Sequence, residues 1–254
     1  MALHRRTALL AACGAGLLAF ALTGCGSADA ADAPVEHKDF PFAGKTLTIE
    51  ADDSTVVVTP ADVPDVEVAR QVNGWAAFGS GPDASWGLKN GTLSLTVKCD
   101  GLISNCGARH EVKVPRGVAV TVTSDDGRVE AAGFATPLKI TSDNGRVSVK
   151  DSSGPLDLTA QDGRIEGEGI SSKTVRAGSD NGRVELTFAV VPDSVQATSD
   201  DGRVDLSVPK GTYKVDARAD NGRVGVAVDR SDSSTHVLTA RSDNGRVTVR
   251  SNPK

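Results

Sequence analysis

Aromatic residues are scarce in this chain, at 4% of 254 residues, while Val, Thr, Gly, Ser and Asp are abundant. Helical periodicity is nearly absent after residue 25. Short alternating runs such as TLTIEADDSTVVV and LSLTVK take its place, which excludes a helical bundle and points to an all-β protein. Positive charge is also lacking. The formal net charge is −5 and falls to −7 once Arg5 and Arg6 are removed with a leader, so an electrostatic nucleic-acid surface is excluded. The one sustained apolar run, from Thr7 to Ala21, is too short and too N-terminal for an ordinary spanning helix.

That run follows the basic MALHRR and reads as the apolar region of a secretory signal peptide, for which Sec export fits better than twin-arginine export. It closes on Leu22-Thr23-Gly24-Cys25, which looks like a bacterial lipobox. The small residue before Cys25 admits a signal peptidase, and the Cys25 thiol is the nucleophile that takes the lipid. Two acyl chains suffice for stable membrane attachment where one is marginal. The expected location is therefore the extracytoplasmic face of the cell membrane. Cys13 leaves with residues 1–24, so Cys99 and Cys106 are the remaining pair. In an exported protein such a pair reads as a disulfide closing a small loop. With only His110 nearby they are too few ligands for zinc. Residues 25–38 read as a flexible tether, 39–115 as an N-terminal β region and cap, and 116–254 as repeats.

The repeats carry the hexapeptide SDNGRV and its variants SDDGRV, ADNGRV and AQDGRI. Their glycines stand at 127, 145, 163, 182, 202, 222 and 245, spaced 18, 18, 19, 20, 20 and 23 residues. A period near 20 is the mark of a stacked repeat. Seven residues before each glycine stands Val or Leu; two after it stands Val or Ile. Three before it nothing larger than Ser occurs. Period-two alternation runs along both arms, so each unit is two short strands joined at a bend. The expected role of the glycine is a positive φ, with Asn or Asp before it tolerating the same region. A β-solenoid with parallel like-on-like stacking fits best. Stacked antiparallel hairpins are the alternative.

Arg128, Arg146, Arg164, Arg183, Arg203, Arg223 and Arg246 then form an outer column. At ~4.8 Å spacing, neighbours repel by on the order of 1 kcal/mol even in water. The structural reading pairs them with a row formed by Asp125, Asp143, Asp180, Asp200, Asp220 and Asp243, broken once at Gln161. The functional reading is a basic strip for phosphate or a polyanionic envelope polymer. Calcium in the turns is disfavoured by the arginine and by the missing G-G-x-G-x-D spacing, and no metal or cofactor is expected.

The lipobox, the P-[RK]-G segments VPRGV (114–118) and VPKGTY (208–213), and repeated S-D-[ND]-G-R-V together resemble the putative-adhesin family of β-strand-repeat bacterial lipoproteins, a domain of unknown function. The resemblance spans about residues 45–250. It implies a β-solenoid on the cell surface, and no catalytic residues to carry over. His37, His110 and His236 are scattered without a nucleophile motif, and Glu166 with Glu168 is the densest acidic pair. The expected role is a non-enzymatic adhesin-like or scaffold module binding an envelope polymer or protein partner. The alternatives are a glycan-active β-helix enzyme and a component of envelope-stress sensing. Trp75, Trp86, the loop GSGPDASWG and the cysteine pair lie in the non-repetitive stretch, which reads first as a terminal cap and second as a sugar-stacking platform.

Overall fold

The computed structural model describes residues 30–252. The signal peptide, Cys25 and Pro253 lie outside them. A short 3-10 turn, η1 (Ala30–Asp32), precedes sixteen strands. The first five are β1 (Val35–Phe40), β2 (Thr46–Ala51), β3 (Ser54–Ala61), β4 (Val66–Lys89) and β5 (Thr92–Pro115). Six short ones follow: β6 (Ala119–Ser124), β7 (Val129–Ala132), β8 (Leu138–Ser142), β9 (Arg146–Lys150), β10 (Leu156–Ala160) and β11 (Arg164–Ile170). The last are β12 (Thr174–Phe188), β13 (Ser194–Val208), β14 (Thr212–Ala227), β15 (Asp229–Arg230) and β16 (Val237–Ser251). η1 and the first residues of β1 fall inside the stretch that composition marks as tether.

Successive repeats pair in parallel and in register, Leu138 with Val120 and Leu156, Val184 with Ile165 and Val204. This is the solenoid arrangement, and the hairpin alternative is overturned: a meander would set the first arm of a unit against its second. Each coil has two arms meeting at the hexapeptide, with alternate residues turned inward. Val122, Ile140 and Leu158 from one arm and Val129, Val147 and Ile165 from the other belong to a single buried cluster. In β12, β13, β14 and β16 the strand runs through the hexapeptide without a break.

The glycines of the repeat do not serve as expected. Positive φ occurs at Gly74, Gly91, Gly117, Gly133 and Gly169, none of them a repeat glycine. What the corner requires is the absence of a side chain. A Cβ at Gly145, Gly163, Gly182, Gly202, Gly245 or Gly222 would lie 1.6–2.0 Å from the carbonyl oxygen of the glycine in the neighbouring coil. The small residue three before the glycine is buried in the same corner. Ser179, Ser199 and Ser242 donate their hydroxyls to the carbonyls of Gly163, Gly182 and Gly202 at 3.2, 3.0 and 3.2 Å.

Stacking order departs from chain order at both ends. β16 lies between β13 and β14, in register with each, so the seventh repeat is inserted between the fifth and the sixth. The 23-residue final spacing supplies the connection that carries the chain past β14. At the other end β2 and β3 lie between β5 on one side and β6 and β7 on the other. β4 pairs antiparallel with β5 along most of its length, and β1 pairs antiparallel with β4.

His110, on β5, is fully buried at this end, with Nδ1 3.3 Å from Ser54 Oγ and Nε2 without a hydrogen-bond partner among the described residues. Burial first, and the Arg70 charge second, lower its pKa from 6.5 to about 4. The unfolded chain therefore takes up this proton before the folded one does. The group's contribution to stability is complete above about pH 6.5 and is lost as the pH falls toward about 4, a change on the order of 3 kcal/mol. His110→Leu should flatten that part of the curve, read as urea midpoints of wild type and variant at neutral, mildly acidic and acidic pH. A difference between the two proteins that stays constant with pH would refute it. Gly202→Ala should destabilise by roughly 1–3 kcal/mol or more through overpacking, whereas Gly225→Ala, which meets no atom within 4 Å, should be nearly silent in the same thermal melts.

Candidate functional site

Register stacking turns each outer position of the hexapeptide into a column, and each column meets its neighbours at strand spacing of ~4.8 Å. In stacking order the residues just before the glycine are Asp126, Asn144, Asp162, Asn181, Asp201, Asn244 and Asn221. Acid and amide alternate until the last position. Asn144, Asn181 and Asn244 each donate from Nδ2 to the carboxylate of Asp126, Asp162 and Asp201 at 2.7 Å, and Asn221 donates to Asn244 Oδ1 at 3.1 Å. The variation between SDDGRV and SDNGRV is therefore not drift, because it keeps two carboxylates from stacking face to face. Where the chain has no amide, the cost appears: Asp53 lies beside Asp126, and burial followed by the charges of Asp126 and Asp52 raises its pKa.

The arginine column is compensated by a different set of acids from the one expected. None of Asp125, Asp143, Asp180, Asp200, Asp220 or Asp243 forms an ion pair with the column. The partners are acids two residues after the arginine, on the same outward face of the same arm. Arg128 pairs with Glu130 at 3.6 Å, Arg164 with Glu166 at 2.8 Å, and Arg146 reaches Glu166 at 3.9 Å. Arg183 contacts Glu185 at 3.3 Å and donates two hydrogen bonds to Asp205, at 2.7 and 3.1 Å.

That supply ends with Asp205. The equivalent positions in the next two stacked coils are Thr248 and Gly225. Arg203, Arg246 and Arg223 are consecutive in the stack, exposed, and without an ion-pair partner among the described residues. They line a shallow groove with Asp201, Asn244 and the backbone of Gly202, Gly222 and Gly245. The insertion of β16 creates this triplet, since it places Arg246 between Arg203 and Arg223.

The outer face of the second arm carries a larger groove, lined by Arg128, Arg146, Lys150, Glu130, Glu166 and Glu168 among others. Its acids each face a cation: Glu166 is held by Arg164 and Arg146, and Glu168 by Lys150 at 3.2 Å. The carboxylate pair weighed for glycan chemistry is thus two separate ion pairs.

The two tryptophans have different surroundings. Trp86 is half-buried, edge-on to Phe40 with centroids 6.2 Å apart and beneath the Arg70 guanidinium at 4.1 Å. Trp75 is 54% exposed. It lies on a loop in which residues 73–80 of β4 pair with 100–107 of β5. Cys99 and Cys106 are joined by a disulfide across the base of this loop, with Cα atoms 6.2 Å apart. Arg128, Arg146 and Arg183 belong to the paired part of the column, and Arg203 and Arg223 to the unpaired part. The sequence reading missed the Asn–Asp ladder and the place of Arg246. The alternation of Asn and Asp before glycine was the available signal for the first; nothing local announces the second.

Among known proteins, a candidate cell adhesion protein of Clostridium sporogenes is 11% identical, with 86% of this chain and 99% of that chain covered and a TM-score of 0.36. A candidate adhesin of Bacteroides fragilis is 12% identical, with 86% and 97% covered and the same TM-score. No curated protein matches the sequence. The family model described as Toastrack DUF4097 matches residues 116–252, more than half of the chain, in the segment that carries the hexapeptide repeats; the protein belongs to the Toastrack DUF4097 family.

Proposed function

We propose that this protein is a lipid-anchored, extracytoplasmic, non-enzymatic module that binds an anionic envelope polymer. The observation that carries this reading is the unpaired triplet Arg203, Arg246 and Arg223. Elsewhere in the column a carboxylate stands beside the guanidinium. In these three coils no carboxylate is left for the arginine, since Asp205 is taken by Arg183 and its equivalents are Thr248 and Gly225, and three like charges remain ~4.8 Å apart at a repulsion of about 1 kcal/mol per neighbouring pair in water. A linear polyanion relieves that repulsion with charge-assisted, bidentate contacts that phosphate or carboxylate groups accept from arginine. The Asn244 amide and the exposed corner backbone add polar partners without a defined catalytic pair. An anchor at Cys25 and a polymer held at the far end of the stack would make the solenoid a spacer between membrane and envelope. The adhesin label of the resembling family agrees with such a role in kind.

Two measurements test it. In the full-length lipoprotein, replacing Arg203, Arg246 and Arg223 by Gln should weaken binding to poly(glycerol phosphate) by tenfold or more, a loss of about 1.4 kcal/mol or greater, and leave binding to neutral dextran unchanged. Melting should hold or rise, because the removed charges only repel one another. Arg183→Gln, which breaks the contacts to Glu185 and Asp205, should instead lower stability by up to about 1 kcal/mol and spare binding. Equal polymer affinity of the triple variant, or turnover of any polymer, would overturn the reading. For the anchor, Cys25→Ser should move the protein from the detergent phase to the aqueous phase of a detergent partition; continued retention would refute the lipobox.

A further inference from the structure

We propose that the disulfide-pinched loop of β4 and β5 dips into the surface of the lipid bilayer beside the anchor and so fixes how the solenoid stands on the membrane. The inference rests on the reading of Cys25 as the lipidated residue.

The loop occupies the place in β5 that the hexapeptide corner occupies in the repeats, between the arm that pairs with β2 and the arm that pairs with β3. There the resemblance ends. A repeat corner carries Asp, Asn and Arg outward, whereas this one is drawn out into a two-stranded ribbon with an apolar end. Phe78 is 86% exposed, Leu102 87%, Ile103 60% and Trp75 54%. Four of the seven large exposed hydrophobic side chains among the described residues therefore lie on this one loop. The backbone is shaped to present them. Gly79 stands opposite Gly101, where a Cβ on Gly79 would come within 1.8 Å of the Asp100 carbonyl oxygen. Phe78 itself sits at φ 57°, a left-handed conformation that a bulky residue seldom adopts. No packing against the core accounts for it.

The path of the N-terminal chain says what meets this surface. Val35, the first residue of β1, pairs with Gln71, two residues before the ribbon begins. Gln71 donates from Nε2 to the Ala33 carbonyl at 3.0 Å, and η1 packs against β4 and β5, with Ala30 buried. The chain thus enters the fold at the base of the ribbon. Five residue steps separate Ala30 from Cys25, which span at most about 18 Å when fully extended. Lipid on Cys25 therefore holds the base of the ribbon within that distance of the bilayer, with the apolar end on the same side of the fold. Trp, Phe, Leu and Ile are the side chains that favour the membrane interface. At the base the exposed Lys98 stands opposite Asp83, with Asp100 beyond it, which leaves no basic patch for anionic lipid, so the contact is apolar and should be insensitive to salt.

The test uses the full-length lipoprotein in phosphatidylcholine–phosphatidylglycerol vesicles with brominated acyl chains. Trp75 should be quenched relative to unbrominated vesicles, in low and high salt alike. Trp86, covered by Phe40 and Arg70, should not, so that W75F abolishes the quenchable emission. The triple variant F78S/L102S/I103S should lose quenching of Trp75 while the disulfide and the melting temperature stay as in wild type. A retained protein whose Trp75 emits equally in both vesicles overturns the proposal and leaves the anchor standing. A photoreactive phenylalanine at position 78 that crosslinks in cells to a protein instead of to lipid also overturns it. If C25S stays on the vesicles with quenching intact, the loop is in lipid and the anchor reading is the one that fails.

Discussion

At the corner of every repeat two coils approach so closely that no side chain can stand between them. A Cβ on a repeat glycine would overlap the carbonyl oxygen of the glycine beneath. This steric limit sets the register, because sliding one coil along another by a residue would push a side chain into that oxygen. It also explains the buried serine, whose hydroxyl reaches the same carbonyl. Once the register is set, the inward Val, Leu and Ile of successive coils lie over one another and form one continuous core. Outward positions have no such freedom either, and each is forced into a column of its own kind.

Columns of like residues are an electrostatic problem, and the chain meets it in two ways. Before the glycine, acid alternates with amide, so that each carboxylate accepts a hydrogen bond where it would otherwise face another carboxylate. After the glycine, where arginine recurs without exception, relief comes from acids two residues further along the arm. Both devices are local, and both weaken toward the ends. Asp53 beside Asp126 is the unrelieved acidic end, and Arg203, Arg246 and Arg223 are the unrelieved basic one. A repeat that satisfies its interior by copying itself must leave something unsatisfied where the copies stop or change. The proposed polymer contact lies at such a place.

The ends of the stack also show where a reading of the chain falls short. The two-arm coil, the inward set, the parallel stacking and the pairing of Cys99 with Cys106 were all legible, since each rests on period-two alternation or on a count. The conformation of the glycine was not. Gly-rich Asx motifs most often mean positive φ, and only the distance to the adjacent coil reveals the steric reason. Trp75 and Trp86 stood as equals in the sequence, yet one covers Phe40 beneath Arg70 and the other stands on an exposed ribbon. Spacing alone could not separate them, because β4 leaves the core between the two and returns.

The sequence by itself determined the unit: two alternating arms, a glycine-bearing corner with a small residue three before it, and an outer face of charge. Every coil repeats those local rules, so seven copies state them redundantly. Tertiary structure alone decided the neighbours. That β16 inserts between β13 and β14, and that β2 and β3 lie between β5 and the repeats, follows from no local preference. Coils built alike pair about equally well with any other, and the choice falls to chain ends and connections. Insertion pairs β16, at the C-terminal end, along both of its edges and leaves the charged β14 as the outer strand, a safer edge for the sheet. That same choice brings Arg246 between Arg203 and Arg223, so the strongest candidate for a binding surface is a product of stacking order.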